Sequence, residues 1–548
     1  VIHRSLIIVV YIVLFWIILP AVLIASGLLL DRSITSGIVV SGIFVPIGIA
    51  VAGISAVMLF ISIVQFRRFG RELPISALPP DMLIQNGLFC VWRHPIYLFY
   101  FLVLVGCALI IGSVGLLLIV LPFFALLTGF YIVHEEKVLI ERFGKVYVNY
   151  RKRTPLVIPH LNYLVLPFVW LLSRLFFRLQ VLHRELIPRS SPFFVVAAHR
   201  NYLDPLFVSA ALGRRIHFIS TFKLFRQPLK AAFYSRLGAI PRTRFRSDFR
   251  TVRGIADVLR CDGIVGIFPE GERSWTGSTN SWKPEVLRLF RAFPDVPVLP
   301  VRIDGNYRIW PRWASGIRRA KLKVTFMNPV MIRKDQSPAE LEILLREKVE
   351  PDDSSAACRK RPGAGGIGKL LYRCPACRSF GTVSERDHSR AVCSSCGELF
   401  ELLPDYTLRY RSGGTDTIKT LEEVYDEIRV TAEDLRVSNR YSDCNEQLAY
   451  CESATAFREE GIRLIPLFTG SLKLTDTALI CGNTSQTISI PLEDIQSVTT
   501  ESNCRLQVYE AVDGTLYQFT FAEDSVLKWQ DYLIESIRGI RGCYPNRR

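Results

Sequence analysis

Long hydrophobic runs crowd the first third of the chain and then give way to short segments punctuated by polar residues. The apolar stretches from Ser5 to Leu30 and from Ser36 to Phe66 each exceed the ~20 residues that cross a bilayer core, so each predicts a transmembrane helix. A third stretch, Leu98 to Val133, carries no charge and is interrupted at Gly112-Ser113-Val114-Gly115. It predicts two helices joined by a tight turn, which makes four spans in all.

Beyond residue 160 the pattern changes. Leu161 to Gln180 is aromatic and aliphatic but carries Arg174 and Arg178, whose stems can lie on a membrane surface while their heads reach the headgroups; it predicts an interfacial helix. Phe193 to Ala198, Cys261 to Phe268 and Val296 to Val301 read as short buried strands, and Asp204-Pro205 as a helix start, an α/β alternation. From Gly461 onward come alternating strands at 470–475, 487–492, 506–509 and 517–521, then a helix with Val526, Trp529, Leu533 and Ile537 on one face. The expected fold is multidomain. An α-helical transmembrane bundle over 1–160 is followed by an α/β domain with an interfacial N-terminal helix over 161–350 and a polar, glycine-rich linker at 351–370. A small cysteine-bearing module at 371–402, a polar, partly helical connector at 403–455 and an all-β barrel with a C-terminal helix at 456–548 complete it.

A length of 548 residues suits several domains rather than one. The formal net charge of +17 calls for an anionic partner, and beside membrane spans that partner is lipid headgroups rather than nucleic acid, for which no aromatic-interleaved basic motif is present. The first apolar run is too long for a signal-peptide core and reads as a retained helix. Arg67, Arg68, Arg71 and Arg93 flank one pair of spans, and Lys137, Arg142, Lys145, Arg151, Lys152 and Arg153 follow the last. Positive charge marks the cytosolic side of a multi-pass membrane protein, so both basic segments, both termini and the domains that follow the last span are expected there. Thirteen cysteines, scattered except for one cluster, fit a reducing compartment.

Two polar motifs interrupt the α/β region. In His199-Arg200-Asn201-Tyr202-Leu203-Asp204, at a strand-to-helix turn, Asp204 can orient the His199 imidazole so that its free nitrogen takes a proton from an alcohol. Alone, such a pair is more often a satisfied core histidine. The second motif, Phe268-Pro269-Glu270-Gly271-Glu272-Arg273-Ser274, ends another strand and offers an anion cradle. With Gly238-Ala239-Ile240-Pro241-Arg242-Thr243-Arg244 and the proline-bearing strand Val298 to Pro300, these four ordered motifs over residues 180 to 350 resemble the glycerophospholipid acyltransferase family, which includes the lysophosphatidic acid acyltransferases. The resemblance implies His199 as general base and Asp204 as its orienting partner. It places the acceptor's phosphate on Glu270, Gly271, Arg273, Ser274 and Arg244, with Arg242 nearby. The implied reaction passes an acyl group from acyl-CoA or acyl carrier protein to a hydroxyl of a lysophospholipid or glycerol-phosphate-like acceptor. Two positions depart from the family: Ala198 replaces an Asn, and Glu272 replaces a common Thr, bringing a carboxylate to the expected anion site.

The membrane region has its own motif. Arg93-His94-Pro95-Ile96-Tyr97, Glu135-Glu136 and Phe143-Gly144-Lys145-Val146-Tyr147-Val148-Asn149-Tyr150 lie at the ends of a helical hairpin. Juxtamembrane anchoring explains Arg and Tyr there, but a His and paired Glu at the edge of a bundle are expensive unless used. Over residues 30 to 160 the set resembles the isoprenylcysteine carboxyl methyltransferase and phospholipid methyltransferase superfamily. The resemblance implies an S-adenosylmethionine pocket lined by Arg93, His94, Tyr97, Glu135 and Glu136. Leu88-Phe89 stands where that family favours Pro-Tyr.

Cys374-Pro375-Ala376-Cys377 and Cys393-Ser394-Ser395-Cys396 are CxxC knuckles with the spacing of a zinc ribbon, and four thiolates suit a closed structural Zn2+ site. A pair of redox dithiols is the weaker reading, and His388 between the knuckles reads as a surface residue. The C-terminal strands and helix resemble a pleckstrin-homology-like barrel, which implies anionic headgroups or a protein as ligand, an inert packing module being the alternative. The sequence points to a membrane enzyme of lipid metabolism in which acyl transfer is the main activity. The competing readings are a membrane scaffold with decayed enzymatic domains and a protein whose main activity is methylation of a lipid or isoprenoid.

Overall fold

The computed structural model describes residues 9–10, 12–33, 42–70, 82–85, 87–190, 192–242, 249–333, 335–352, 362–412, 414–438, 447–461 and 463–543. The chain divides into two compact units, Val1–Leu164 and Val165–Arg548.

The first unit is helical. Val13–Ser33, Gly42–Arg68 and Leu116–Phe143 are long and apolar enough to cross a membrane, and at most 22 % of each span is buried inside the fold. Ile54, Phe60, Leu126 and Phe130 point outward and are exposed, an apolar exterior that belongs in lipid. The third expected span, Pro95–Ile111, forms as a helix of 17 residues, shorter than the other three, so among the described residues three helices are long enough to span where four were expected. Its break falls at the anticipated turn, where Gly112 takes a φ of +77° and the Gly115 N–H donates to Asp31 Oδ1 at 2.7 Å. Small residues let this helix approach Gly42–Arg68: a Cβ on Gly106 would lie 2.6 Å from the Ala52 backbone nitrogen.

The second unit starts from a seven-stranded sheet of β1 (Gln180–Leu182), β2 (Phe193–Ala197), β3 (His217–Thr221), β4 (Ile240–Arg242), β5 (Ile264–Ile267), β6 (Val298–Asp304) and β7 (Lys323–Phe326). The order is β1-β7-β6-β2-β5-β3-β4, parallel except for the β6–β7 pair. Central β2 is buried throughout, which is why it reads as an unbroken apolar run. Val195 and Ala197 face Phe207 and Val208 of the Asp204–Leu212 helix, while Phe194 and Val196 face Phe290 and Leu341 of the opposite layer. The carboxyl ends of β2 and β5 lead into the loops that carry the two polar motifs, and that of β6 leads into Asn306.

A five-stranded antiparallel sheet follows, with strands β8 (Val383–Glu385), β9 (Arg390–Cys393), β10 (Leu399–Leu402), β11 (Thr407–Ser412) and β12 (Thr415–Thr420) in order β12-β11-β10-β9-β8. The last sheet contains β13 (Gln447–Glu460), β14 (Arg463–Thr475), β15 (Ala478–Gly482), β16 (Thr487–Pro491), β17 (Ile495–Glu501), β18 (Arg505–Glu510) and β19 (Leu516–Phe521) in order β16-β15-β14-β13-β19-β18-β17. The helix Val526–Cys543 packs Trp529 and Leu533 into its core.

The described half of the expected linker is not free. Ala364, Ile367 and Leu370 are buried in one continuous core that runs from Trp275 and Trp313 through the cysteine module to Trp529. Gly366, at a φ of +84°, lets the backbone pass where a Cβ would lie 2.3 Å from the Trp313 carbonyl oxygen. Glycine here serves close approach rather than chain flexibility. The Asp531 carboxylate accepts the hydroxyls of Tyr372 and Tyr425 at 2.7 Å each, tying the cysteine module to the C-terminal helix.

Candidate functional site

The His199–Asp204 pair sits where β2 ends and the next helix begins. Asp204 is fully buried, and its Oδ2 accepts the Arg200 and Asn201 backbone N–H groups at 2.8 Å each as well as His199 Nδ1 at 3.1 Å. Its Oδ1 accepts Asn306 Nδ2 at 2.8 Å, from the segment after β6. With every strong contact spent on holding a negative charge, Asp204 fixes the proton on Nδ1 and leaves His199 Nε2 as the basic nitrogen. The imidazole stacks on Phe268, centroids 4.3 Å apart, and keeps a fifth of its side-chain surface exposed. Burial outweighs the pull of Asp204 and holds its pKa below the usual imidazole value, so the ring is a neutral base at neutral pH.

The Phe268–Ser274 loop grips the backbone of the same histidine. The His199 N–H reaches both Glu270 carboxylate oxygens at 3.2 Å, and the His199 carbonyl accepts the Ser274 N–H at 3.0 Å. Glu270 is therefore placed on His199 rather than on an open anion cradle, and Ser274 Oγ is committed to the Gly277 N–H at 2.9 Å. Gly271 is exposed at a φ of +71°. Arg273 lies over the Tyr202 ring, 5.3 Å from its centroid, and burial lowers its pKa from the ordinary guanidinium value. Arg242 ends β4, and Arg244 lies outside the described residues. The Glu272 carboxylate is met by Arg312 at 3.5 Å.

Sequence reasoning missed Asn306, Asn201, Phe268 as a stacking partner, and Arg312. Asn306 followed a strand and a glycine, the same kind of signal that marked His199.

Burial pushes the Glu270 carboxyl up from 4.5 to about 8. A raised acid stabilises the fold in its protonated form, so this contribution is complete below pH 4.5 and is lost as pH rises through 8. Glu270→Gln keeps an acceptor for the His199 N–H and should flatten the fall in thermal midpoint across that window. An unchanged profile would count against the burial argument.

In the helical unit, the two halves of the juxtamembrane motif meet. Arg93 Nη1 contacts Glu136 Oε1 at 2.7 Å, His94 Nε2 lies 3.6 Å from the same oxygen and His94 Nδ1 3.7 Å from Glu135 Oε2, with Arg151 3.5 Å from Glu136. Tyr97 packs beside the His94 ring, centroids 5.7 Å apart. Leu88-Phe89, the departure from the Pro-Tyr pattern, is held by Gln65 on the Leu88 N–H and by the Tyr150 hydroxyl on the Phe89 carbonyl, at 2.8 and 2.7 Å. The His94 contacts are longer than hydrogen bonds, so the buried His94 Nε2 and Glu135 Oε2 meet their partners across the cluster only as ion-pair neighbours.

The four cysteine sulfurs of the knuckles lie within 4.8 Å of one another, with Cys374–Cys396 at 3.9 Å and Cys377–Cys393 at 3.7 Å. A tetrahedron of Zn–S bonds spaces sulfurs about 3.8 Å apart, so the donor set fits that ion.

Residues 178–304 match the Acyltransferase family model, and residues 43–146 match the Phospholipid methyltransferase model. The chain is 28 % identical over 159 residues to a chloroplastic 1-acyl-sn-glycerol-3-phosphate acyltransferase of Arabidopsis thaliana, covering 28 % of this chain and 44 % of the relative. It is 27 % identical over 159 residues to a chloroplastic 1-acyl-sn-glycerol-3-phosphate acyltransferase of Brassica napus, covering 28 % and 46 %. The chain thus spans less than half the length of these curated relatives. Among solved structures it is similar to the 1-acyl-sn-glycerophosphate acyltransferase of Thermotoga maritima, at 26 % identity and a TM-score of 0.30, covering 34 % of this chain and 78 % of that one.

Proposed function

We propose that the chain is a membrane-bound O-acyltransferase that acylates a hydroxyl of a lysophospholipid or glycerol-phosphate-like acceptor from a thioester donor. The observation that carries this reading is the neutral His199, oriented by a buried Asp204 and flanked by Arg273. His199 Nε2 takes the acceptor's hydroxyl proton as its oxygen attacks the thioester carbonyl. The new C–O bond forms, the C–S bond breaks, and the proton passes from His199 to the departing thiolate. Arg273 is suited to the acceptor's phosphate, an anion a guanidinium binds bidentately. A decayed scaffold would have no reason to keep five polar contacts converging on one histidine and its carboxylate. The direct test supplies purified protein in lipid with labelled acyl-CoA or acyl carrier protein and 1-acylglycerol-3-phosphate. Failure to acylate with either donor would refute the assignment.

A second activity rests on the Arg93, His94, Glu135 and Glu136 cluster, which we assign to S-adenosylmethionine with Tyr97 beside it. Bound there, the cofactor would supply an electrophilic methyl group. The carboxylates suit its hydroxyls and positive charge, and Arg93 and His94 hold those carboxylates in place. Glu136→Gln removes charge with little change of shape and should weaken binding by roughly 1.5 to 3 kcal/mol, as read by calorimetric titration of the full chain. No binding by the wild type at millimolar cofactor would leave this unit as an anchor. The cytosolic placement of both sites, the pleckstrin-like character of the last sheet, which its strand order and capping helix support, and its anionic or protein ligand belong to the same reading.

A further inference from the structure

Arg312 lies in the loop after β6, outside the four motifs, and its side chain is 3 % exposed. Its guanidinium faces both sides of a domain junction. Nη1 donates to the Arg273 carbonyl at 2.9 Å and lies 3.5 Å from Glu272 Oε2, while Nη2 donates to the Thr500 carbonyl at 2.8 Å and to Thr500 Oγ1 at 2.6 Å. Nε donates to the Ser502 carbonyl at 3.1 Å. The plane rests on Trp275, 4.6 Å from the ring centroid. A planar fork with five donors satisfies this set of acceptors, which the three donors of a lysine ammonium do not match. Thr500 Oγ1 also lies 3.4 Å from Glu272 Oε2, so the C-terminal sheet touches the active-site loop through β17 at this point.

We propose that Arg312 is a positioning residue of the acyltransferase site: it fixes Arg273 through its backbone, neutralises Glu272, and makes the C-terminal sheet a structural part of the acceptor-phosphate site. The inference rests on the acyltransferase reading and extends it to a domain that carries none of the family motifs. Its logic is electrostatic. Glu272 stands where the resembling family commonly has a Thr, and an unneutralised carboxylate next to Arg273 would repel the acceptor's phosphate. Arg312 removes that repulsion without competing for the phosphate, because its donors are directed at the Glu272–Arg273 segment and at β17.

The test uses the full chain in lipid, with 1-acylglycerol-3-phosphate and whichever thioester the wild type accepts. Arg312→Gln, which removes the charge, should raise the KM for the phosphate acceptor by about tenfold or more, with the KM for the thioester changed by less than about twofold. Adding Glu272→Thr to Arg312→Gln should recover a large part of that loss, which a merely structural role would not do. Thr500→Val, cutting the contact from the β17 side, should give a smaller rise of the same kind, and it reads the coupling even if Arg312→Gln folds poorly. An acceptor KM unchanged in Arg312→Gln or in Thr500→Val, or equal losses for both substrates without rescue, overturns the proposal. Absence of transfer by the wild type overturns the acyltransferase reading instead.

Discussion

Replacing His199 by Ala is expected to lower acyl transfer by ~100-fold to 10,000-fold, the usual cost of losing a general base, while the chain still inserts and folds. The fold should tolerate the change because the contacts that shape this turn use the His199 backbone: its N–H on Glu270 and its carbonyl on Ser274 remain. What disappears is the ring stacked on Phe268 and the Nδ1 bond to Asp204. The pH profile separates chemistry from structure. His199 must be neutral to accept a proton, and its pKa lies below the ordinary value of 6.5, so the acid limb of kcat/KM should fall below pH 6.5. Asp204→Asn removes the group that raises the His199 pKa, so the limb should move further down while the plateau drops. Measured with a labelled thioester, wild-type turnover in His199→Ala would end the assignment. A limb that stays in place in Asp204→Asn would end the pairing.

How much of this was legible depended on where the information lies. His199 and Asp204 are five residues apart at an element boundary, and the chemistry of that turn could be read locally. The meeting of Arg93 with Glu136 could also be expected, because a helical hairpin returns the chain to one face. Asn306 and Arg312 could not be assigned in the same way: each acts on residues distant in sequence, Asn306 on Asp204 and Arg312 on Thr500. The contact of Glu270 with His199 was hidden for a related reason, since a carboxylate beside an arginine reads as part of an ion-binding loop until its distance to a backbone N–H is known. The stretch at 362–370 misled in the other direction. Its glycines have linker composition, yet Gly366 is placed for contact with Trp313, and the apolar Ile367 and Leu370 between such small residues were the signal that the segment packs. Composition distinguishes flexible from rigid glycine poorly, because both uses depend on the same missing Cβ.

That packed segment sets the reach of the other large effect. Purified protein, kept reduced, is expected to carry one Zn2+ per chain and to lose it in Cys374→Ser. Cys374 and Cys393 are fully buried, and four sulfurs this close without an ion would forfeit binding free energy on the order of 10 kcal/mol, comparable to the stability of a whole domain. The loss should not stay local. Tyr372, two residues before Cys374, donates to the buried Asp531, and the core around it continues to Trp313 on one side and Trp529 on the other. Chelation should therefore lower the thermal midpoint of the whole second unit and reduce acyl transfer with it, because Arg312 depends on the position of β17. Metal analysis and thermal unfolding on the same samples decide the matter. Reduced protein without zinc would exclude a structural ion, and loss of zinc with an unchanged midpoint and activity would show that the cysteine module folds as an independent appendage rather than as a support of the proposed acyltransferase site.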